Sequence, residues 1–153
     1  MDDTPPIEPP HPAEDVTDHV GYRLKRAHAA LRGALDQVLR GHDLTVPQYS
    51  CLEVLAARPG LSNAELARAT FVTRQSANTV LRGLQDDGLV ARPDTVATGR
   101  ARPTHLTDEG RLRLQAAQSA VYAVEARMIR AVPAGRLAEL LEDLDRMTLA
   151  LDE

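Results

Sequence analysis

The stretch 73-TRQSANTVLRGLQDDGLVARPDTVATGRARPTHLT-107 divides into a helical half and a hairpin half. In the helical half, apolar residues recur at three- and four-residue steps, which predicts one buried helix face. Thr73 is the expected N-cap, and Gly88 is expected to close the helix. The buried face is formed by Ala77, Val80, Leu81 and Leu84, and the polar side chains of the leading turns are Arg74, Gln75, Ser76, Asn78 and Thr79.

The preceding segment, 61-LSNAELARAT-70, predicts a short helix of about two turns. Ser62 and Glu65 have the spacing of a capping box, in which the serine oxygen accepts from the first amides and the glutamate reaches back. The turn 70-TFV-72 then joins two helices, and we expect Phe71 to lie in the core. A capped helix, a short turn and a second helix with an apolar back and a polar front are what major-groove docking requires.

DNA contacts can be assigned by chemistry. Arg and Gln side chains reach base edges, while Ser and Thr hydroxyls bind phosphate oxygens. We therefore predict that the second helix of the pair enters the major groove. The predicted contacts on the two helices are Ser62, Thr73, Arg74, Gln75, Ser76, Asn78, Thr79 and Arg82.

The hairpin half predicts a wing. The segments 89-LVAR-92 and 103-PTHLT-107 are expected to form two short strands around the loop 93-PDTVATGRA-101, and Pro93 and Pro103 limit their pairing. Arg100 and Arg102 would then lie along phosphates or enter a minor groove.

Outside this module, long apolar stripes predict helical arms. Helices are expected over residues 16–40, ending at Gly41, and over 45–58, 108–132 and 134–151. The stripes of the first and last helices have no partner within 45–107, so they must pack on each other or on another chain. We predict a two-fold dimer that places its recognition helices about one DNA turn (~34 Å) apart.

The predicted fold class is mainly α, a winged helix-turn-helix with N- and C-terminal dimerisation arms. Its divisions are an acidic, proline-rich disordered tail (1–14), an N-terminal dimerisation helix (15–43), the DNA-binding domain (44–107) and C-terminal dimerisation helices (108–153).

Charge and composition agree with this division. The net charge of −4 is concentrated in residues 1–20, which hold six acids and no Lys or Arg, so the other 133 residues carry +2. Because exposed charges are screened beyond ~10 Å, the tail need not cancel a local basic face.

Cys51 is the only cysteine, which excludes an intramolecular disulfide and suits a reducing compartment. With neither a signal sequence nor a membrane-spanning run, the expected location is the cytoplasm.

The chain also resembles the MarR family of bacterial transcription regulators. The resemblance is carried by 44-LTVPQYSCLEVLAARPGLSNAELARAT-70, 72-VTRQSANTVLRGLQDDGLVAR-92 and 100-RARPTHLTDEG-110. It implies a homodimer on a pseudo-palindromic operator, usually a repressor released by a small aromatic ligand or by oxidation. It places Thr73, Arg74, Gln75, Ser76 and Thr79 in the major groove and Arg100 at the wing arginine. Many members have Asp-Arg-Arg in the wing, whereas 98-TGR-100 keeps only the final arginine.

Other sites are weaker candidates. Tyr22, Arg26 and Tyr49 could line a ligand crevice or simply pack in the core or an interface. Cys51 is expected to be a buried core thiol. No histidine pair has metal-ligand spacing and no catalytic motif is present, so we expect no metal, no cofactor and no enzymatic activity. The main alternative is a winged-helix module that binds protein partners without DNA; a small helical enzyme is a second.

Overall fold

The computed structural model describes residues 15–93 and 103–152. The predictions for the tail 1–14, for residues 94–101 of the wing loop and for the wing arginines Arg100 and Arg102 lie outside these residues.

Six α-helices and a two-stranded hairpin follow a short 3-10 helix, Val16–Asp18, in the described residues. In chain order they are α1 (Val20–Arg40), α2 (Val46–Ala57), α3 (Asn63–Ala69), α4 (Arg74–Asp86), β1 (Val90–Ala91), β2 (His105–Leu106), α5 (Asp108–Ile129) and α6 (Leu137–Leu149). The predicted mainly α fold, with its helix-turn-helix and paired wing strands, is confirmed.

Side-chain caps explain where the helices of the module begin. Ser62 and Glu65 form the predicted capping box of α3, and Thr73 accepts from the Ser76 amide at the start of α4. Thr107 caps α5 by accepting from the Gly110 amide at 3.0 Å. A second capping box, between Thr45 and Gln48, starts α2. Each cap satisfies amides that the helix itself leaves without an acceptor.

The helix α1 ends at Gly41, as predicted, but the glycine is not the left-handed residue of the turn that follows. Gly41 keeps a right-handed conformation (φ −66°), and Asp43 takes the left-handed one (φ 53°). The amides of Asp43 and Leu44 donate to Arg40 and Leu39, the pattern of a Schellman turn. Asp tolerates this conformation better than most residues, so the chain turns two residues after the glycine.

The wing strands are short and antiparallel. Val90 lies opposite Leu106, and Ala91 lies opposite His105. On the other side of β2, Thr104 forms an isolated bridge with Leu61, at the entrance to α3. The base of the wing is therefore attached to both α3 and the segment after α4.

The core lies between α2, α3, α4, the wing base and the first half of α5, with Leu39 from the end of α1. Its fully buried side chains include Leu52, Leu66, Leu81 and Leu84. The prediction that Phe71 joins this core is wrong, because its side chain is 95% exposed. Phe71 occupies the left-handed position of the turn (φ 56°), so its side chain leaves the turn outward and does not join the core.

The helices α1 and α6 bury fewer side chains than the helices of the core do. The helix α1 lies mainly against α5, whereas α6 makes at most marginal contact with any other described element. No residue of α6 is buried, and its stripe of Leu140, Leu141, Leu144 and Met147 is exposed. In the described residues, the apolar face of α6 has no partner.

Candidate nucleic-acid interface

The helix α4 has the two faces that the sequence predicts. Ala77, Leu81 and Leu84 are buried against the module, while Arg74 and Gln75 are exposed on the first turn. Neither of these two side chains is engaged in a hydrogen bond or an ion pair within the described residues. A guanidinium and an amide without intramolecular partners at a helix N-terminus are free to bind base edges.

The hydroxyl groups of α4 are more constrained. Thr73 Oγ1 donates to Ser76 Oγ at 3.0 Å, and Thr79 Oγ1 donates to the Gln75 carbonyl at 3.1 Å. Phosphate oxygens only accept hydrogen bonds, so either threonine would have to release its internal acceptor to bind one. The Ser76 hydroxyl keeps its own proton available, which makes it the best placed of the three.

Asn78 has a structural partner that the sequence analysis missed. The side-chain amide of Asn63, at the start of α3, donates to the Asn78 side-chain oxygen on α4. This bond joins the two helices of the motif across the turn. A residue 15 positions away gives no local sequence signal, so only the packing of the two helices identifies the pair.

Ser62 lies at the start of α3 and caps that helix, accepting from the Glu65 amide at 3.3 Å. The backbone hydrogen bond from Ser62 to Glu65 is the largest cause that lowers the pKa of Glu65. The carboxylate therefore stays ionised and keeps the box closed near neutral pH. Arg82 is exposed further along α4, and within the described chain it forms no salt bridge with Asp86 or Asp87.

A cavity of about 280 Å³ opens beside the turn before α4, and we call it the turn cavity. It lies between α1, the start of α2 and residues 70–72. Its lining is largely apolar, with Arg32 and Ser50 among its few polar side chains and Cys51 and Phe71 among the others.

The three residues predicted to line a ligand crevice lie elsewhere. Tyr22 and Arg26 are exposed on α1, and Tyr49 is buried in α2, where its hydroxyl donates to Glu53 at 3.3 Å. Burial, followed by the nearby Glu53 carboxylate, raises the pKa of Tyr49. None of the three lines the turn cavity, because helix packing places the neighbouring faces of α1 and α2 against the turn.

Cys51 is buried, as predicted. Burial raises the pKa of its thiol to about 11, so the thiol stays protonated near neutral pH. A protonated thiol is a weak nucleophile, which agrees with a packing role.

Within residues 15–93 and 103–152, no group of three or more His, Cys, Asp or Glu side chains could hold a metal ion. No helix in the same part of the chain is long and apolar enough to cross a bilayer.

The capped α3, the tight turn, the polar front of α4 and the wing base define a winged helix-turn-helix protein. Residues 42–101 match the sequence model of the MarR family. The HTH-type transcriptional repressor Rv2887 of Mycobacterium tuberculosis is 42% identical over 128 residues, which cover 84% of this chain and 92% of the relative. The chain belongs to the MarR family and is a DNA-binding transcriptional regulator.

Solved structures agree with this assignment. The crystal structure of the M. tuberculosis MarR family protein Rv2887 with salicylic acid has 41% sequence identity and a TM-score of 0.69, covering 88% of this chain and 98% of that one. The structure of the same protein with DNA has 40% identity and a TM-score of 0.69, with 84% and 97% covered.

Proposed function

We propose that this regulator is a cytoplasmic, non-enzymatic repressor that binds a pseudo-palindromic operator as a homodimer and leaves it when a small aromatic ligand binds. The observation that carries the DNA-binding role is the first turn of α4, where Arg74 and Gln75 are exposed and have no side-chain partner among residues 15–93 and 103–152, while Ala77 is buried. In this proposal, residues 44–107 bind DNA, and residues 15–43 and 108–153 form the dimer.

The exposed stripe of α6 supports the dimer. Leu140, Leu141, Leu144 and Met147 recur on one face of α6 and are exposed. A second copy of the chain would remove this surface from water, at about 25 cal/mol per Å² of apolar area buried. A two-fold arrangement also presents two copies of α4 to successive major grooves, which is what a pseudo-palindromic site requires.

The turn cavity supports a ligand of the aromatic acid class. Its lining is mostly apolar, and it includes Arg32, whose Nε lies 3.9 Å from the Asp36 carboxylate and whose other guanidinium N–H groups can bind a ligand carboxylate. The related repressor Rv2887 has been crystallised with salicylic acid and with p-aminosalicylic acid. A ligand here would lie between α1 and the turn before α4, so it could favour one separation of the two recognition helices over another.

The experiment that tests DNA binding measures affinity across a salt series. The probes are the DNA upstream of the gene and a fragment selected from a random pool, and the variants are Arg74→Ala and Arg100→Ala. Arg130→Ala, at the exposed end of α5, is a charge-matched control, and its mass in solution is measured to show that the dimer is kept. We expect Arg74→Ala to cost about 1–3 kcal/mol on the selected site and to relax its selectivity.

Arg100→Ala should weaken binding to all sequences and reduce the salt slope by about 1. Arg130→Ala should bind as wild type does. Equal affinity for selected and random DNA at every salt concentration would contradict the proposal. It would favour the alternative, a winged-helix module that binds protein partners.

A further inference from the structure

Phe71 occupies a position where neither backbone nor packing favours an aromatic residue. It is the left-handed residue of the turn that ends α3 (φ 56°), a conformation in which a β-carbon is strained and glycine is usual. Its ring is 95% exposed, so it adds almost nothing to the core. A residue that strains the backbone and exposes a large apolar surface calls for an explanation outside the stability of the isolated chain.

The surroundings of the Phe71 ring offer an explanation for its exposure. Phe71 lines the turn cavity, whose other walls come from α1, α2 and the recognition helix and include Leu31, Arg32 and Val80. It also lies two residues before Thr73, the N-cap of the recognition helix. One residue thus lines the cavity and lies two positions before the cap of α4.

We infer that the Phe71 ring closes over a small aromatic acid in the turn cavity and thereby couples ligand binding to the position of the recognition helix. This inference rests on the ligand response of the proposed function and names the residue that transmits it. The ligand's ring would pack between the apolar wall of the cavity and Phe71, while Arg32 binds its carboxylate. Almost the whole surface of the Phe71 ring is available to be buried in this way.

The backbone of the turn explains how the contact can move α4. The Val72 amide donates to the Ala67 carbonyl at 3.0 Å, and the Phe71 amide donates to the Arg68 carbonyl at 3.3 Å. These two bonds hold Phe71 in the left-handed region, although right-handed and extended conformations are less strained for a residue with a β-carbon. A ligand that binds the ring better in one of those conformations shifts the turn, and Thr73 and Arg74 shift with it.

The test uses the full-length dimer and an operator fragment selected with the wild-type protein. DNA affinity is measured with and without saturating salicylate, p-aminosalicylate or benzoate. The variants are Phe71→Ala, which removes the ring, and Phe71→Tyr, which keeps it. Calorimetry measures the affinity for the acids directly.

We expect an effective acid to lower the DNA affinity of the wild type and of Phe71→Tyr by about tenfold or more, within the usual range of allosteric coupling. For Phe71→Ala, the same acid should change DNA affinity by less than about threefold, and its own binding should weaken by about fivefold or more. Without ligand, Phe71→Ala should bind DNA within about threefold of wild type, because the ring is not assigned to the DNA contact.

Three outcomes would overturn the inference, and they are distinguishable. A Phe71→Ala protein that responds to ligand as the wild type does removes the role of Phe71 and leaves the proposed function intact. A wild type that ignores all three acids removes the proposed ligand response, and the role of Phe71 with it. A Phe71→Ala dimer of unchanged mass that loses DNA affinity without ligand assigns the ring to DNA instead.

Discussion

The turns before and after the recognition helix have the same backbone hydrogen bonds but different residues at the left-handed position. Before α4, the amides of Phe71 and Val72 donate to Arg68 and Ala67. After α4, the amides of Gly88 and Leu89 donate to Gln85 and Leu84 at 3.0 and 2.9 Å. Both are Schellman turns. The left-handed residue is glycine in one and phenylalanine in the other, so the same geometry is relaxed after the helix and strained before it.

The two turns also differ in their surroundings. The turn after α4 is held by α5, since Thr107 Oγ1 donates to the Gly88 carbonyl at 2.7 Å and the Thr107 amide donates to the Leu89 carbonyl at 3.1 Å. The turn before α4 borders the turn cavity. The recognition helix is therefore fixed at its C-terminal end by α5, whereas its N-terminal end, where DNA contacts are proposed, borders the turn cavity and is joined to α3 through Asn63 and Asn78.

The variant with the largest expected effect is Gly110→Ala, which tests the contact between α5 and the C-terminal end of the recognition helix. A β-carbon at Gly110 would lie 2.0 Å from the Leu89 carbonyl oxygen, and backbone on both sides leaves no flexible group to yield. We expect a loss of about 3 kcal/mol in the free energy of unfolding, at the upper end for overpacked sites. Urea denaturation at fixed protein concentration measures it.

Gly33→Ala is the control for Gly110→Ala, because a β-carbon at Gly33 meets nothing within 4 Å. It should gain up to about 1 kcal/mol from helix propensity alone. Equal stability of the two variants would show that α5 yields at Gly110, and the C-terminal end of the recognition helix would not be fixed.

Gly88→Ala tests the conformational preference without a clash. The site is open around its β-carbon position and its φ is +72°, so the only penalty is the left-handed conformation. We expect a loss of about 1 kcal/mol, read from the same urea curves. An unchanged midpoint would mean that the turn accommodates a β-carbon at no cost, and the contrast with Phe71 would lose its energetic basis.

Phe71→Gly should have the smallest effect and the opposite sign. Removing the β-carbon relieves the left-handed strain, partly offset by the greater freedom of glycine in the unfolded chain, for a net gain of about 0.5 kcal/mol. Phe71→Ala keeps the β-carbon and should gain nothing. If Phe71→Gly loses stability, the ring contributes packing in the dimer that a single chain does not contain.

Local signals predicted most of the DNA-binding module correctly. The Ser62 and Glu65 capping box, the Thr73 N-cap and the Gly88 stop each depend on residues within four positions of one another, so the sequence alone identifies them. The prediction for Phe71 was wrong because hydrophobicity predicts burial, whereas the left-handed position after α3 directs its side chain outward. The contact between Asn63 and Asn78 and the lining of the turn cavity depend on how separate helices pack, which spacing along the chain does not encode.

Among the described residues, α6 makes at most marginal contact with other elements, and this has a consequence for how the regulator behaves in a cell. A helix of 13 residues with no buried side chain is too short to be stable alone in water, so its order depends on finding a second copy. Folding of this arm and assembly of the proposed dimer then form one equilibrium, and the melting temperature rises with protein concentration. A cell that makes few copies would hold chains with unfolded C-terminal arms, open to proteases, and repression would begin only above a threshold of synthesis.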